Sequence, residues 1–257
     1  MARSWICYPV LLLASLVACT STATPPPTLP PIQRLAVTPA LEGLVTSWLL
    51  DYRAEAGPPA FDLEVMPLES ALGAAASGSV DAVLAAASPP DGWFATPLTR
   101  EPIAVIVHRS NPVSSLTLQD LAGIFTGRIT RWETWGGEAL EIEPVIPLRG
   151  DELRSAFASL VLQEARFTGA ALLGPSPELV LRLVSERPGA IGFVIQSSAS
   201  SQVKVLSVQE GSTSTPPPTD LQHPLAVEIL AMAPEEPGGP IREWLGWLQA
   251  KLQLERR

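Results

Sequence analysis

The segment from Pro147 to Phe157, PLRGDELRSAF, carries four charged side chains that could contact a ligand. It follows an apolar run typical of a strand and has the composition of a helix start, with Asp151 and Glu152 in the first turn. Acidic side chains are common there because they stabilise the positive end of the helix dipole. Arg149 and Arg154 could offer positive charge to an anion, but such arginines more often pair with neighbouring carboxylates. Arg149 is the better candidate for an anion because it precedes the helix.

Elsewhere the sequence carries no pattern that indicates catalysis or metal binding. His108 and His223 lie far apart in the chain, without a carboxylate or thiol pattern around them. There is no glycine-rich phosphate loop with its lysine, no GxSxG segment and no Cys/His spacing suited to a metal. Trp132 and Trp135 could stack on a ligand, but their surroundings favour a role in a core. We therefore expect a binding protein without cofactor or metal, and not an enzyme.

The charged segment must be positioned by a fold in which strands and helices alternate. Leu35–Val37 has the pattern of a strand, and Thr38 follows it with a hydroxyl suited to cap the next helix. Ile103–Val107 is a continuous apolar run of the kind buried on both faces of a sheet. Thr117 and Asp120 have the spacing of a capping box before another helix. This order predicts an α/β fold with parallel strands joined by right-handed crossovers.

The first 31 residues differ in composition from the rest of the chain. Residues 1–18 combine Arg3, an apolar stretch and small residues, the pattern of a secretory signal too short to persist as a membrane span. Leu16–Cys19, LVAC, resembles the lipobox of bacterial lipoproteins and predicts lipidation of Cys19; alternatively the segment is a plain cleaved signal and Cys19 is incidental. Residues 19–31 are rich in Ser, Thr and Pro and indicate an extended tether. We expect an extracytoplasmic protein, lipid-anchored to the cell membrane.

Length and charge restrict the remainder of the chain. Removing 31 residues from 257 leaves 226, enough for one two-lobed body or two small domains. Removing the signal takes away only Arg3, so that 16 basic and 26 acidic residues give a net charge of −10. A surface this acidic argues against nucleic acid or an anionic membrane face as the main partner. The membrane contact that we expect is therefore the lipid anchor alone.

The segment from Glu101 to Gly137, EPIAVIVHRSNPVSSLTLQDLAGIFTGRITRWETWGG, resembles the phosphate-binding proteins of bacterial ABC transporters. Members of that family carry an apolar strand, an Asn-Pro pair and a capped helix that ends in Ile-Phe, followed by Gly, Ile and Trp. The residues that match are Ile103–Val107, Asn111, Pro112, Ile124, Phe125, Gly127, Ile129 and Trp132. Pro188–Val194, PGAIGFV, and His223–Leu225, HPL, are similar to two later motifs of the family.

The resemblance implies a two-lobed, type II periplasmic-binding-protein-like α/β fold with a central cleft. Residues 32–102 plus 197–257 would form lobe 1, and residues 103–196 would form lobe 2. A small-molecule or oxyanion ligand would bind in the cleft, and an ABC permease would be the partner. Such a protein is the binding component of an ABC importer of the phosphate or oxyanion type.

The family holds its oxyanion with helix N-termini and Ser/Thr hydroxyls, and these anion loops are altered here. Thr38 keeps the hydroxyl of the first loop, but Met66–Ser70 lacks the small donors of the second, and no arginine follows Ser88 in the third. In the fourth loop Asp151–Leu153 aligns with Ser-Gly-Thr, and Arg154 aligns with the arginine that follows. Carried over from the family, the ligand-binding residues are Thr38, Ser88, Arg149, Gly150, Asp151, Leu153 and Arg154.

The altered loops leave a second interpretation open. Two like charges about 4 Å apart repel by roughly 1 kcal/mol in water and by several times more in a drier cleft. The carboxylates of Asp151 and Glu152 would therefore oppose a phosphate. The alternative function is a degenerate binding-protein fold that acts as a ligand-sensing or protein-interaction module without phosphate binding.

Overall fold

A computed structural model describes residues 32–137, 139–163, 165–209 and 223–255. The predicted signal segment, Cys19 and the predicted tether lie outside the described residues. Within the described part of the chain, no helix combines the length and the apolar character that crossing a bilayer requires.

Strands and helices alternate along the chain. The strands are β1 (Gln33–Val37), β2 (Phe61–Val65), β3 (Ala82–Ala85), β4 (Phe94–His108), β5 (Ser115–Thr117), β6 (Glu143–Pro147), β7 (Leu172–Gly174), β8 (Ala190–Ile195), β9 (Val203–Gln209) and β10 (Ala226–Ala233). The α-helices are α1 (Glu42–Ala56), α2 (Leu68–Ala76), α3 (Leu118–Phe125), α4 (Glu152–Phe157), α5 (Pro177–Glu186) and α6 (Gly239–Glu255). Short 3₁₀ helices occur at Pro39–Leu41, Trp132–Trp135 and Gln196–Ser198.

The strands form one mixed sheet in the order β2-β1-β3-β10-β4-β8-β6-β7, and β9 pairs with β4 and β5. β1 runs parallel to β2 and β3, and β6 runs parallel to β7 and β8. These pairs follow from the strand–helix–strand order, and they confirm the α/β class. β10, β8 and β9 instead run antiparallel to β4, which makes the sheet mixed.

Strand β4 is longer than the sequence predicts, since it starts at Phe94 and the apolar run starts only at Ile103. Its first half pairs with β10, and its second half pairs with β8 and β9. The first half is hard to read from the sequence because it contains prolines, which cannot donate to a strand ladder. Pro97 lies opposite Leu230, where the register of the β4–β10 ladder shifts. β4 therefore continues from the strands predicted for lobe 1 into those predicted for lobe 2.

Strand β9 belongs to the sequence range predicted for lobe 1, yet it pairs with Val105–His108 in the second half of β4. β9 also pairs with β5, and these two strands run parallel. The assignment of residues to the two lobes remains a prediction.

Helix α3 and the 3₁₀ helix after it form part of the core. Thr117 and Asp120 make the predicted capping box, with both reciprocal hydrogen bonds present. Trp132 is 1 % exposed, and its indole N–H donates to the carbonyl of Gly189 at 3.0 Å. Its predicted core role is therefore confirmed, and Trp135 packs against it with ring centroids 6.1 Å apart.

Helix α4 carries the charged segment and is fixed by its apolar face. Leu153 and Phe157 are buried, and the Phe157 ring stacks on Phe193 of β8 at a centroid distance of 4.1 Å. Beyond Phe157 the helix continues as a π-helical turn, Ala158–Leu162. This packing sets the direction of the first turn of α4, at which the site forms.

A glycine of the PGAIGFV motif is required by a close backbone approach. A Cβ at Gly189 would lie 2.3 Å from the carbonyl oxygen of Glu141, whereas a Cβ at Gly73 in α2 would have nothing within 4 Å. We expect Gly189→Ala to lower the free energy of unfolding by about 1–3 kcal/mol through overpacking. The matched control, Gly73→Ala, should be neutral or stabilising by up to about 1 kcal/mol because alanine has the higher helix propensity. Urea unfolding of both variants checks this, and equal stability of the two would contradict it.

Candidate functional site

The centre of the candidate site is a buried pair, Thr38 and Glu152. Thr38 follows β1 directly, and Glu152 is the first residue of α4 after β6. The Thr38 hydroxyl donates to Oε1 of Glu152 at 2.6 Å, although the two residues are 114 positions apart. Thr38 is 2 % exposed and Glu152 is 3 % exposed. The hydrogen bond thus connects the ends of two distant strands inside the protein.

Only one oxygen of the Glu152 carboxylate, Oε1, has a hydrogen-bond partner among the described residues. Its Oε2 atom is buried without a hydrogen-bond partner among the described residues. Burial raises the pKa of Glu152 to about 7, opposed by the Thr38 hydroxyl and the Ala86 backbone N–H and reinforced by the negative charge of Asp151. Burial favours the neutral acid because a charged carboxylate loses its hydration. Glu152 therefore changes its charge near neutral pH.

Asp151 has the capping role expected of an acid in a first helical turn. As the N-cap of α4, it accepts a hydrogen bond from the backbone N–H of Arg154 at 3.0 Å. Burial raises the pKa of Asp151, and the backbone N–H groups of Arg154 and Leu153 oppose that effect. The two neighbouring acids thus differ in function, because Glu152 does not cap the helix. Thr38 also differs from expectation, since its side chain makes no capping bond to the 3₁₀ helix that follows.

Arg149, Gly150 and Arg154 lie together at a surface pocket beside α4. One guanidinium nitrogen of Arg154 donates to the carbonyl of Pro147 at 2.8 Å, and the group lies 5.1 Å from the centre of the Phe167 ring. The expected ion pairs of Arg149 and Arg154 with Asp151 or Glu152 are not formed among the described residues. The reason is that Asp151 is turned to the backbone of α4 and Glu152 to Thr38.

The residues predicted to bind a ligand are therefore distributed over several places. Ser88 lines a different cavity, of about 390 Å³, which it shares with Ser159 and Leu160 after α4 and with Glu228 of β10. Leu153 is 2 % exposed and belongs to the core. Of the residues predicted to bind a ligand, Thr38 is the one whose side chain is shown to hydrogen-bond to the Glu152 carboxylate.

The partner of Thr38, Glu152, is absent from the set of ligand residues that the resemblance supplies. The sequence did carry one signal for the role of Glu152, because this residue aligns with a glycine of the family pattern. A side chain at that position must enter space that a glycine leaves empty. No local pattern indicates its contact with Thr38, because the two residues are far apart in the chain. Arg166 and Phe167, which line the pocket with Arg154, also have no motif that marks them.

The fold is that of a protein of the periplasmic-binding-protein type. The family model of the PBP superfamily domain matches residues 22–236, and the chain therefore belongs to the PBP superfamily. The type II fold predicted from the Glu101–Gly137 segment is thus confirmed.

Solved structures extend the likeness over nearly the whole chain. One is described as a phosphate ABC transporter substrate-binding protein with bound phosphate from Clostridium perfringens, with 18% identity, a TM-score of 0.75 and coverage of 87% of this chain and 96% of that chain. An ABC-type phosphate transport receptor from Vibrio cholerae has 19% identity and a TM-score of 0.64, covering 87% and 97%. The CcmR regulatory domain of Synechocystis in complex with 2-PG has 18% identity and a TM-score of 0.61, covering 86% and 97%. Identities this low establish a shared fold.

The titration of Glu152 should appear in the stability of the protein. Its pKa rises from 4.5 to about 7 on folding, so the folded state holds the proton more strongly. The contribution of Glu152 to the free energy of unfolding is complete below its unfolded pKa and is lost as the pH rises to about 7. At about 1.4 kcal/mol per pKa unit, the loss is roughly 3 kcal/mol. Glu152→Gln should remove this loss, because glutamine stays neutral, and should be the more stable protein at about pH 8.

Urea unfolding between about pH 5 and about pH 8 measures the difference between the two proteins. Glu186→Gln, at the exposed end of α5, is the matched control and should retain the pH dependence of the wild type. Parallel pH profiles for wild type and Glu152→Gln would show that Glu152 does not titrate in this range.

Proposed function

We propose that this protein is an extracytoplasmic solute-binding protein, lipid-anchored through Cys19, that serves as the binding component of an ABC importer of the phosphate or oxyanion type. It performs no chemistry and closes its two lobes, 32–102 with 197–257 and 103–196, around a small ligand. The proposal is supported by membership of the PBP superfamily and by the coverage of two phosphate-transport structures along almost their full length.

The observation that carries the proposal is the convergence of three strand ends at one buried point. Thr38 follows β1, Ala86 follows β3 and Glu152 follows β6. In α/β sheets ligands bind outside the carboxyl ends of strands, because loops and helix starts meet there. The Thr38 hydroxyl and the Ala86 backbone N–H act on the Glu152 carboxylate at this point. The Glu152 carboxylate thus already occupies the Thr38 hydroxyl, a donor that an oxyanion would use.

This occupancy makes ligand binding depend on the protonation of Glu152. An ionised carboxylate repels an oxyanion, and the repulsion is stronger in a buried site than in water. A protonated Glu152 removes that charge and could donate a hydrogen bond of its own. The proposed solute site, with Thr38 at its centre, is therefore competent for an anion below neutral pH and impaired above it.

The second candidate function is a ligand-sensing or protein-interaction module that binds no phosphate. It is favoured by the same contact, since a cleft closed by its own carboxylate needs no external anion. The CcmR regulatory domain in complex with 2-PG provides a solved structure of similar fold among regulators. In this case Glu152 would be a structural group and the cleft would remain closed.

Sulfate distinguishes the two candidates because, unlike phosphate, its charge is constant near neutral pH. For the importer component we expect sulfate or phosphate to bind, with a sulfate dissociation constant that falls about tenfold between about pH 8 and about pH 6 as the competent, protonated fraction increases. Glu152→Gln should bind at all these pH values with little change. Isothermal titration calorimetry of both proteins, with Glu186→Gln as control, measures this.

If neither sulfate nor phosphate binds to the wild type or to Glu152→Gln, the importer proposal is rejected and the interaction module is favoured. Tight sulfate binding by the wild type at about pH 8 would instead contradict the repulsion by Glu152.

A further inference from the structure

A surface pocket of about 540 Å³ beside α4 concentrates positive charge in an otherwise acidic protein. Three of its lining residues are arginines, Arg149, Arg154 and Arg166. The other lining residues are Gly150, Ser155, Ala158, Ala165 and Phe167. No carboxylate lines this arginine pocket among the residues that the structure describes; Glu164 is outside them.

The arginines of this pocket form no ion pair among the described residues, although the negative charge of Asp151 acts on Arg154. The pKa of Arg154 is lowered, first by burial and then by the positive charge of Arg149. Arg149 and Arg154 line the same pocket, and the positive charge of one disfavours that of the other. An anion between them would relieve the repulsion and use their free N–H donors, which match the oxygens of a phosphate or carboxylate.

Arg154 is held in position by the protein itself. Its hydrogen bond to the Pro147 carbonyl and its contact with the Phe167 ring fix the guanidinium from two sides. A fixed guanidinium loses less conformational entropy on binding than a mobile one. Arg149 and Arg166 are exposed and can adjust to the ligand.

The arginine pocket is separate from the buried pair. Thr38, Ser88 and Glu152 do not line it. Its volume lies within the range of pockets that hold small organic ligands, and it is larger than one oxyanion requires. Phe167, Ala158 and Ala165 supply apolar surface for the remainder of such a ligand.

We propose that the arginine pocket is a second binding site, for a small organic molecule that carries a phosphate or another multiply charged oxyanion group. This proposal goes beyond the proposed function, because neither Thr38 nor Glu152, which form the buried pair, lines the pocket. It also does not depend on the charge of Glu152.

Pyrophosphate is a suitable probe because it is small and multiply charged. We expect calorimetry at low salt to detect its binding to the purified protein, with an affinity that falls as salt is raised to about 0.5 M. The double variant Arg149→Gln/Arg166→Gln should bind at least about tenfold more weakly. Its matched control, Arg53→Gln/Arg182→Gln, removes the same charge from exposed positions on α1 and α5 and should keep the wild-type affinity within about twofold.

A second pair of variants tests the pocket without removing an arginine. Ser155 is exposed and lines the pocket. Ser155→Glu introduces a carboxylate among the arginines and should abolish binding of pyrophosphate, whereas Ser155→Gln should not.

Two outcomes would overturn the proposal. One is that the wild type does not bind pyrophosphate at low salt. The other is that both arginine double variants weaken binding equally, which would mean that binding depends on the net charge of the protein and not on the pocket. Glu152→Gln separates this site from the cleft, since it should change sulfate binding with pH and leave pyrophosphate binding unchanged. If Glu152→Gln changes the affinity for pyrophosphate and the double variant Arg149→Gln/Arg166→Gln does not, pyrophosphate binds in the cleft and the proposed pocket site is rejected.

Discussion

The hydrogen bond between Thr38 and Glu152 is the interaction on which the character of this binding-protein fold depends. It joins the end of β1 to the start of α4, and it puts a carboxylate where several strand ends meet. A buried carboxylate with one unpaired oxygen is costly unless it is protonated or gains a partner. The protein tolerates this cost at the carboxyl ends of strands, the part of an α/β sheet where ligands generally bind. That location is a reason to regard Glu152 as a functional residue, since perturbed acids often mark functional sites.

The fold and the site have different physical origins in this chain. The residues that resemble the phosphate-binding family, such as Thr117, Asp120 and Trp132, form caps and core contacts. Their role is to stabilise the packed body of the protein, and they do not specify a ligand. Ligand choice depends instead on a few loop positions, and a fold of this kind is found both in phosphate receptors and in a regulatory domain.

Much of the fold was predictable because its signals are local. A capping box spans four residues, a buried strand is a continuous apolar run, and both kinds of prediction agree with the structure. The site was predictable only in part. The ligand role that the resemblance gives to Thr38 stays a prediction. Its hydroxyl was expected to cap a helix, but it bonds to a side chain 114 positions away. The pairing expected for Arg149 and Arg154 failed because the neighbouring acids already had other partners. Competition between partners that are distant in sequence cannot be read from spacing.

Strand β4 has a consequence for how the protein unfolds. Its first half forms a ladder with β10 and its second half forms ladders with β8 and β9, without an interruption by a loop. Separating one group of strands from the other would leave half of β4 with unpaired backbone groups, which is unfavourable inside a protein. The described body should therefore lose its structure in one cooperative step. Any movement of one group of strands relative to the other must bend or twist β4, because the two groups cannot separate at this shared strand.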